Sequence, residues 1–154
     1  MDLYIVRHGD APSSEDGERR LSEQGYREVR ALARWLQASG VAIDRILASP
    51  YLRAQQTAKE IHRILDLETS LETEPLLVTF SDPQLTAEAL RARPEPALLV
   101  VSHMPLVARL LAYLTGGNED YFATAGIARL DLKPDADHAR LVYHFSPERY
   151  KQSP

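Results

Sequence analysis

Two short apolar runs, Leu3-Tyr4-Ile5-Val6 and Ala97 to Val101, and a second predicted strand, Ile43 to Ala48, are each followed by a stretch whose apolar residues recur at helical spacing. This alternation limits the fold more than any other feature, because strand, covering helix and further strand in order is the pattern of a parallel sheet with helices packed on it. From Ser22 to Ser39, the residues Tyr26, Val29, Leu32, Ala33 and Leu36 share one face, with Ser22 as N-cap and Gly40 as stop. Ser49-Pro50 opens a second helix with Pro50 at its first position and Leu52, Thr57, Ala58, Ile61, Ile64 and Leu65 inward. The helix from Pro105 to Leu114 turns Leu106, Val107, Leu110, Leu111 and Leu114 inward and stops at Gly116-Gly117. A short strand is predicted around Ser70 to Pro75 and a short helix over Pro83 to Arg91, followed by the stiff connection Pro94-Glu95-Pro96. Gly126 to Leu132 and Leu141 to Phe145, separated by the polar segment Lys133 to Arg140, read as a closing hairpin. The expected fold class is α/β: one domain over residues 1–154, a three-layer α/β/α sandwich with a mostly parallel sheet and a C-terminal hairpin.

Composition narrows the function classes. With 154 residues the chain can bury a core without covalent staples, and it contains no cysteine, which excludes thiolate zinc sites, cysteine nucleophiles and disulfides. A net charge of −4 argues against a nucleic-acid partner. Apolar runs fall far short of a membrane span, and Met1-Asp2 leads straight into the first strand without a basic leader, so a soluble, cytoplasmic monomer with no membrane partner is expected.

Against that acidic background, cations collect in one place. In such a sheet the ligand crevice lies beyond the carboxyl ends of the strands. Arg7-His8-Gly9 follows the first strand, Arg53 stands in the opening turn of the helix after the second, and His103 follows the Ala97 strand. Arg20, just ahead of Ser22, repeats the pattern, with Arg19 equally able to serve. Helix N-termini already carry about half a positive charge, so stability alone would place Asp or Glu there. Cations at that edge make sense if a multiply charged anion completes the site, and phosphate is the leading candidate. A neutral imidazole can attack phosphorus, a guanidinium offers a planar fork of donors to phosphoryl oxygens, and Gly9 lets the backbone turn and a ligand come close. His62, His138 and His144 read as structural.

Arg7-His8-Gly9-Asp10-Ala11, Leu21-Ser22 followed by Gly25, Ser49-Pro50 with Leu52-Arg53-Ala54 and Gln56-Thr57, and Ser102-His103 with Pro105-Leu106-Val107 together resemble the histidine phosphatase superfamily. The likeness is nearest to its short bacterial phosphohistidine phosphatases of the SixA type, and it spans nearly the whole chain, including the segment at Thr124 and the hairpin. It implies a phosphoglycerate mutase-like fold, His8 as nucleophile, Arg7 and Arg53 as phosphate clamps, and His103 as second pocket histidine; the residues themselves add Gly9 and Arg20 as expected phosphate contacts. No cofactor or metal is implied. Where many members carry a Glu or Asp general acid, this chain reads Pro75-Leu76-Leu77, with Glu74 and Asp82 the nearby carboxylates. Imidazole leaves phosphorus far more readily than an alkoxide, so weak acid assistance fits phosphohistidine. Superfamily members acting on small sugar phosphates generally carry larger insertions between the positions of Arg53 and His103, so the resemblance, with only a short stretch left here for a lid, implies a protein-borne phosphohistidine rather than a small phosphoester. Three rival readings remain at this level: a phosphatase or mutase of small phosphoesters, a non-catalytic phosphate-recognition module, and a metal-dependent phosphoesterase using Asp10 and His144.

Overall fold

The computed structural model describes residues 1–151. The sheet has six strands: β1 (Asp2–Arg7), β2 (Arg45–Ala48), β3 (Glu72–Thr73), β4 (Ala97–Ser102), β5 (Ile127–Asp131) and β6 (Arg140–Phe145). They lie in the order β3-β2-β4-β1-β5-β6. The first four run parallel; β5 is antiparallel to β1, and β6 to β5, which is the predicted hairpin. β4 is buried at every position, as its continuous apolar run requires of a central parallel strand.

Helices α1 (Glu23–Ala38), α2 (Leu52–Leu65), α3 (Pro83–Arg91), α4 (Leu106–Thr115) and α5 (Pro147–Lys151) cover both faces. Alternation along the strands sorts the core into two layers. Tyr4, Val6, Leu99 and Val101 pack with Val29, Leu32 and Leu36 of α1 and with Ala54, Ala58 and Ile61 of α2. Leu3, Ile5, Leu98 and Val100 pack with Leu90 of α3 and with Val107, Leu110 and Leu111 of α4. The helix after β1 therefore takes one face and the helix after β4 the other. Since β1 and β4 are neighbours, their outgoing chains diverge and open a crevice at their carboxyl ends.

The helices match the sequence periods, with three corrections. α2 begins at Leu52 behind Tyr51, so Pro50 lies outside it. The Ser49 hydroxyl accepts only a long bond from Tyr51 N–H, at 3.3 Å, and is bonded to His103 at 2.7 Å. Pro105 caps α4 rather than starting it. Two short elements were not expected: a 3-10 turn at Pro75–Leu77 and α5, whose Tyr150 stacks on Trp35 and bonds the Ala125 carbonyl at 3.1 Å. Among the described residues no helix is long and apolar enough to cross a membrane.

Candidate active site

β1 and β4 end side by side, and their ladder continues one residue further, His8 N–H donating to the Ser102 carbonyl at 3.1 Å. The next residue on the second chain is His103, so both histidines drop into the crevice with ring centroids 5.1 Å apart. Both are buried. His8 Nδ1 lies 2.7 Å from the Gly9 carbonyl, which can only accept, so Nδ1 carries the proton and the lone pair of the neutral ring falls on Nε2.

Gly9 has a different part from the one expected. Its N–H donates to Thr57 Oγ1 at 3.1 Å, and that hydroxyl donates to the Arg53 carbonyl at 2.8 Å, so the amide is not free for a ligand. A Cβ on Gly9 would stand 2.8 Å from the Gly25 carbonyl oxygen and from Val29 Cγ2, and a Cβ on Gly25 would stand 2.2 Å from the Asp10 carbonyl oxygen. The two glycines press the loop after β1 onto α1, which fixes the His8 backbone. Glu28 closes the same loop from the side: Oε1 accepts from Asp10 N–H at 2.9 Å and Oε2 from Thr124 Oγ1 at 3.1 Å.

The guanidiniums are held from behind. Arg7 Nη1 donates to Tyr121 Oη at 2.9 Å and to the Phe122 carbonyl at 2.7 Å, with the cation 5.5 Å from the Tyr121 ring centre. Arg53 sits 5.0 Å over Tyr51, and Tyr51 meets His103 edge-on at 5.1 Å. His103 Nε2 is 2.7 Å from Ser49 Oγ. Five buried side-chain polar atoms lack a partner among the described residues, and three of them are Arg7 Nε, Arg53 Nε and His103 Nδ1. An unpartnered buried polar atom costs roughly 1–3 kcal/mol, so three around one crevice mark an intended guest.

Of the two adjacent arginines, Arg19 is the one whose charge reaches the pocket. Arg20 is drawn away by Asp16 at 3.0 Å on the exposed side of the loop. Arg19 donates to the Ala11 carbonyl at 2.8 Å, and its charge acts on His8, Arg53 and His103. Among the described residues no ion pair engages Arg7, Arg19 or Arg53. α1 and α3 carry side-chain caps, from Ser22 and Asp82, whereas α2 and α4, which open at the crevice, carry none.

Burial, aided by Arg53, Arg7 and Arg19, pushes the His8 imidazole down to about 4 despite its bond to Gly9. Burial, then His8, Arg53, Arg19 and Arg7, push His103 to about 3. Both rings are neutral at pH 7, so His8 presents a nucleophilic Nε2 without help from a base.

The two carboxylates considered as general acids are both in use as caps. Glu74 Oε2 accepts from Leu76 N–H at 2.8 Å and Asp82 Oδ1 from Gln84 N–H at 2.9 Å. Leu77 is tied beneath the crevice by its carbonyl, which accepts from Ser102 Oγ at 2.6 Å. His62, bonded to the Thr69 carbonyl, and His144, against Phe122, lie outside the site. No group of three or more His, Cys, Asp or Glu gathers as metal ligands among the described residues. Ser49, Thr57 and Glu28 had no role assigned from sequence. Thr57 and Glu28 sit on helix positions that read as core or surface, and Tyr121 lies in a loop with no periodic signal.

A family model for the histidine phosphatase superfamily (branch 1) matches residues 3–78. The phosphohistidine phosphatase SixA of Escherichia coli (strain K12) is 39% identical over 159 residues, covering 99% of this chain and 98% of that protein. The chain belongs to the histidine phosphatase superfamily. A phosphohistidine phosphatase SixA homolog of Haemophilus influenzae is 33% identical over 143 residues, covering 84% of this chain and 87% of that protein. Among solved structures, the protein histidine phosphatase SixA complexed with tungstate superposes with a TM-score of 0.91 at 35% identity, covering 97% of this chain and 99% of that one. A phosphoserine phosphatase of Entamoeba histolytica shares the fold, with a TM-score of 0.76 at 13% identity. The superfamily fold, the expected phosphoglycerate mutase-like sandwich, is thereby established.

Proposed function

We propose that this protein dephosphorylates phosphohistidine on a protein, without metal, through a covalent phospho-His8 intermediate. One observation carries the reading: a neutral imidazole with its lone pair on Nε2 stands among unpaired guanidiniums and three buried, unpartnered nitrogens. A phosphoryl group supplies the acceptor oxygens and the negative charge that this arrangement lacks.

His8 Nε2 attacks phosphorus in line. A nitrogen–phosphorus bond forms as the bond to the substrate imidazole breaks; its electron pair stays on that ring, whose other nitrogen carries the proton that leaves it neutral. Arg7 Nη1 is already occupied by Tyr121 and Phe122, so Nε and Nη2 form the edge offered to the equatorial oxygens. Arg53 offers its unpartnered Nε. In the tautomer in which Ser49 donates to His103 Nε2, the His103 proton sits on the unpartnered Nδ1 and makes it a third donor. Water then attacks phospho-His8, the bond to Nε2 breaks, and inorganic phosphate takes up the proton of water. Through both steps the Gly9 carbonyl holds the Nδ1 proton of His8. Since Glu74 and Asp82 serve as caps, a leaving group that needs no strong acid fits best. The names of the two SixA relatives support the same substrate class.

The test is turnover measured side by side on a phosphohistidine protein and on a panel of sugar and alcohol phosphates, with and without EDTA. The expected result is a preference for phosphohistidine unchanged by chelation. Preference for a phosphoester, or recovery of a chelated enzyme by magnesium, manganese or zinc, would overturn it.

A further inference from the structure

The rim of the pocket carries a feature that phosphoryl transfer does not use. Seven large apolar side chains are exposed among the described residues, and four are aromatic. Tyr113 stands near the end of α4, away from the crevice. Two of the other three flank the pocket, and the third is close to it along the chain. Tyr51 and Tyr121, 43% and 70% exposed, are the rings on which Arg53 and Arg7 rest. Phe80, 79% exposed, is three residues beyond Leu77, whose carbonyl bonds Ser102 next to His103. Three residues of chain reach at most about 11 Å, which keeps Phe80 within that distance of Leu77 beneath the crevice. A solvated ring of this kind gains nothing for the fold, and exposed apolar clusters of this type are surfaces of contact.

We infer that Tyr51, Phe80 and Tyr121 form a docking rim for the folded protein that carries the phosphohistidine. This rests on the proposed function, and the pocket itself names the occupant. A phosphoryl group held by Arg7 and Arg53 lies between the Tyr121 and Tyr51 rings, so whatever bears that group must leave the pocket past them. Phe80 makes no ring contact with either site histidine or with Arg7 or Arg53, so a ligand that fills only the pocket does not need it. A protein surface around the phosphohistidine does reach it. Beside Tyr51 the rim opens into a recess of about 260 Å³ lined by Glu18, Arg19 and Arg53. Glu15, Asp16 and Glu18 on that loop disfavour small substrates bearing several phosphates. Aromatic anchors on a small rim suit a brief encounter, as turnover requires.

The experiment compares KM on two substrates: a folded domain bearing one surface phosphohistidine, charged with phosphoramidate, and free phosphohistidine. Wild type should show a KM at least about tenfold lower on the protein. Phe80→Ser should raise the KM on the protein by about tenfold and leave kcat and the KM on free phosphohistidine within twofold; Phe80→Tyr should restore docking. A thermal midpoint equal to wild type confirms that the variant folds. Equal KM on the two substrates in wild type, or an equal effect of Phe80→Ser on both, overturns the docking rim while the phosphohistidine activity stands. Failure of wild type on both phosphohistidine substrates, with turnover of a phosphoester, overturns the proposed function and this inference with it.

Discussion

At the residue scale, the chemistry depends on keeping His8 neutral and its lone pair on Nε2. Burial supplies the first condition and the Gly9 carbonyl the second. The free-enzyme pH profile follows from the sign of the shift. A group with a lowered pKa is neutral above it, so kcat/KM should hold down to about pH 4, where His8 titrates, and then fall about tenfold per unit. A limb centred near 6.5 would show a solvated, unperturbed histidine and contradict this account. The arginines give a second prediction, since Arg7→Ala and Arg53→Ala each remove a charge-assisted donor from the transition state and should reduce turnover about a hundredfold or more. Arg19→Ala should weaken protection by phosphate or vanadate in thermal melts, and Arg20→Ala should change turnover less than about threefold because Asp16 holds it away. A larger loss from Arg20→Ala than from Arg19→Ala would reverse that assignment. The sequence left this cation open between Arg20 and Arg19, because which of two adjacent arginines faces inward depends on the loop path and on capture by Asp16, neither of which periodicity reports.

At the scale of elements, the site is held where α2 is pinned to the loop after β1. Thr57 is the pin, accepting from Gly9 N–H and donating to the Arg53 carbonyl. Thr57→Val keeps the volume and removes both bonds, leaving the Gly9 donor buried without a partner. We predict a stability loss of about 1–3 kcal/mol by denaturant melting and a fall in kcat of about tenfold, with Thr57→Ser recovering most of both. A Val variant with normal kcat would show that His8 holds its place without α2. Here the sequence was legible in part. The helical period assigned Thr57 to the inner face of α2 correctly, but an inward threonine reads as core, and Gly9, whose N–H it accepts, lies far away along the chain. The start of α2 was misplaced for a related reason: Ser49-Pro50 has the composition of a helix start, but the Ser49 hydroxyl is committed to His103 across the crevice.

At the scale of the whole molecule, the order of strands and helices came through because each element shows its period clearly, and the parallel order brought Arg7, His8, Arg53 and His103 to one edge as expected. What did not come through were the links that cross the chain, such as Tyr121 behind Arg7, Glu28 between Asp10 and Thr124, and the missing partners of three buried nitrogens. The buried histidines also set the response of stability to acid. Their folded pKa values, about 4 and about 3, lie below the ordinary value near 6.5, so below that pH the unfolded chain binds more protons than the folded one. The stability contributed by keeping these rings neutral is present above about 6.5 and is lost as pH falls towards 4 and 3. The thermal midpoint should therefore drop across that window, and the drop should shrink in the His8→Asn, His103→Asn double variant. An unchanged slope in the double variant would place the acid sensitivity elsewhere.

The central claim is that His8 takes the phosphoryl group onto its own ring. The direct measurement mixes enzyme with a phosphohistidine protein labelled at phosphorus, quenches within the first turnovers in alkali, and maps the label by peptide mass spectrometry. The account predicts label on the peptide containing His8, stable in base and lost in acid, and absent in His8→Ala, whose turnover falls at least several thousandfold while its fold is kept. Label on another residue, no enzyme-bound label during turnover, or more than a tenth of wild-type turnover in His8→Ala would contradict it.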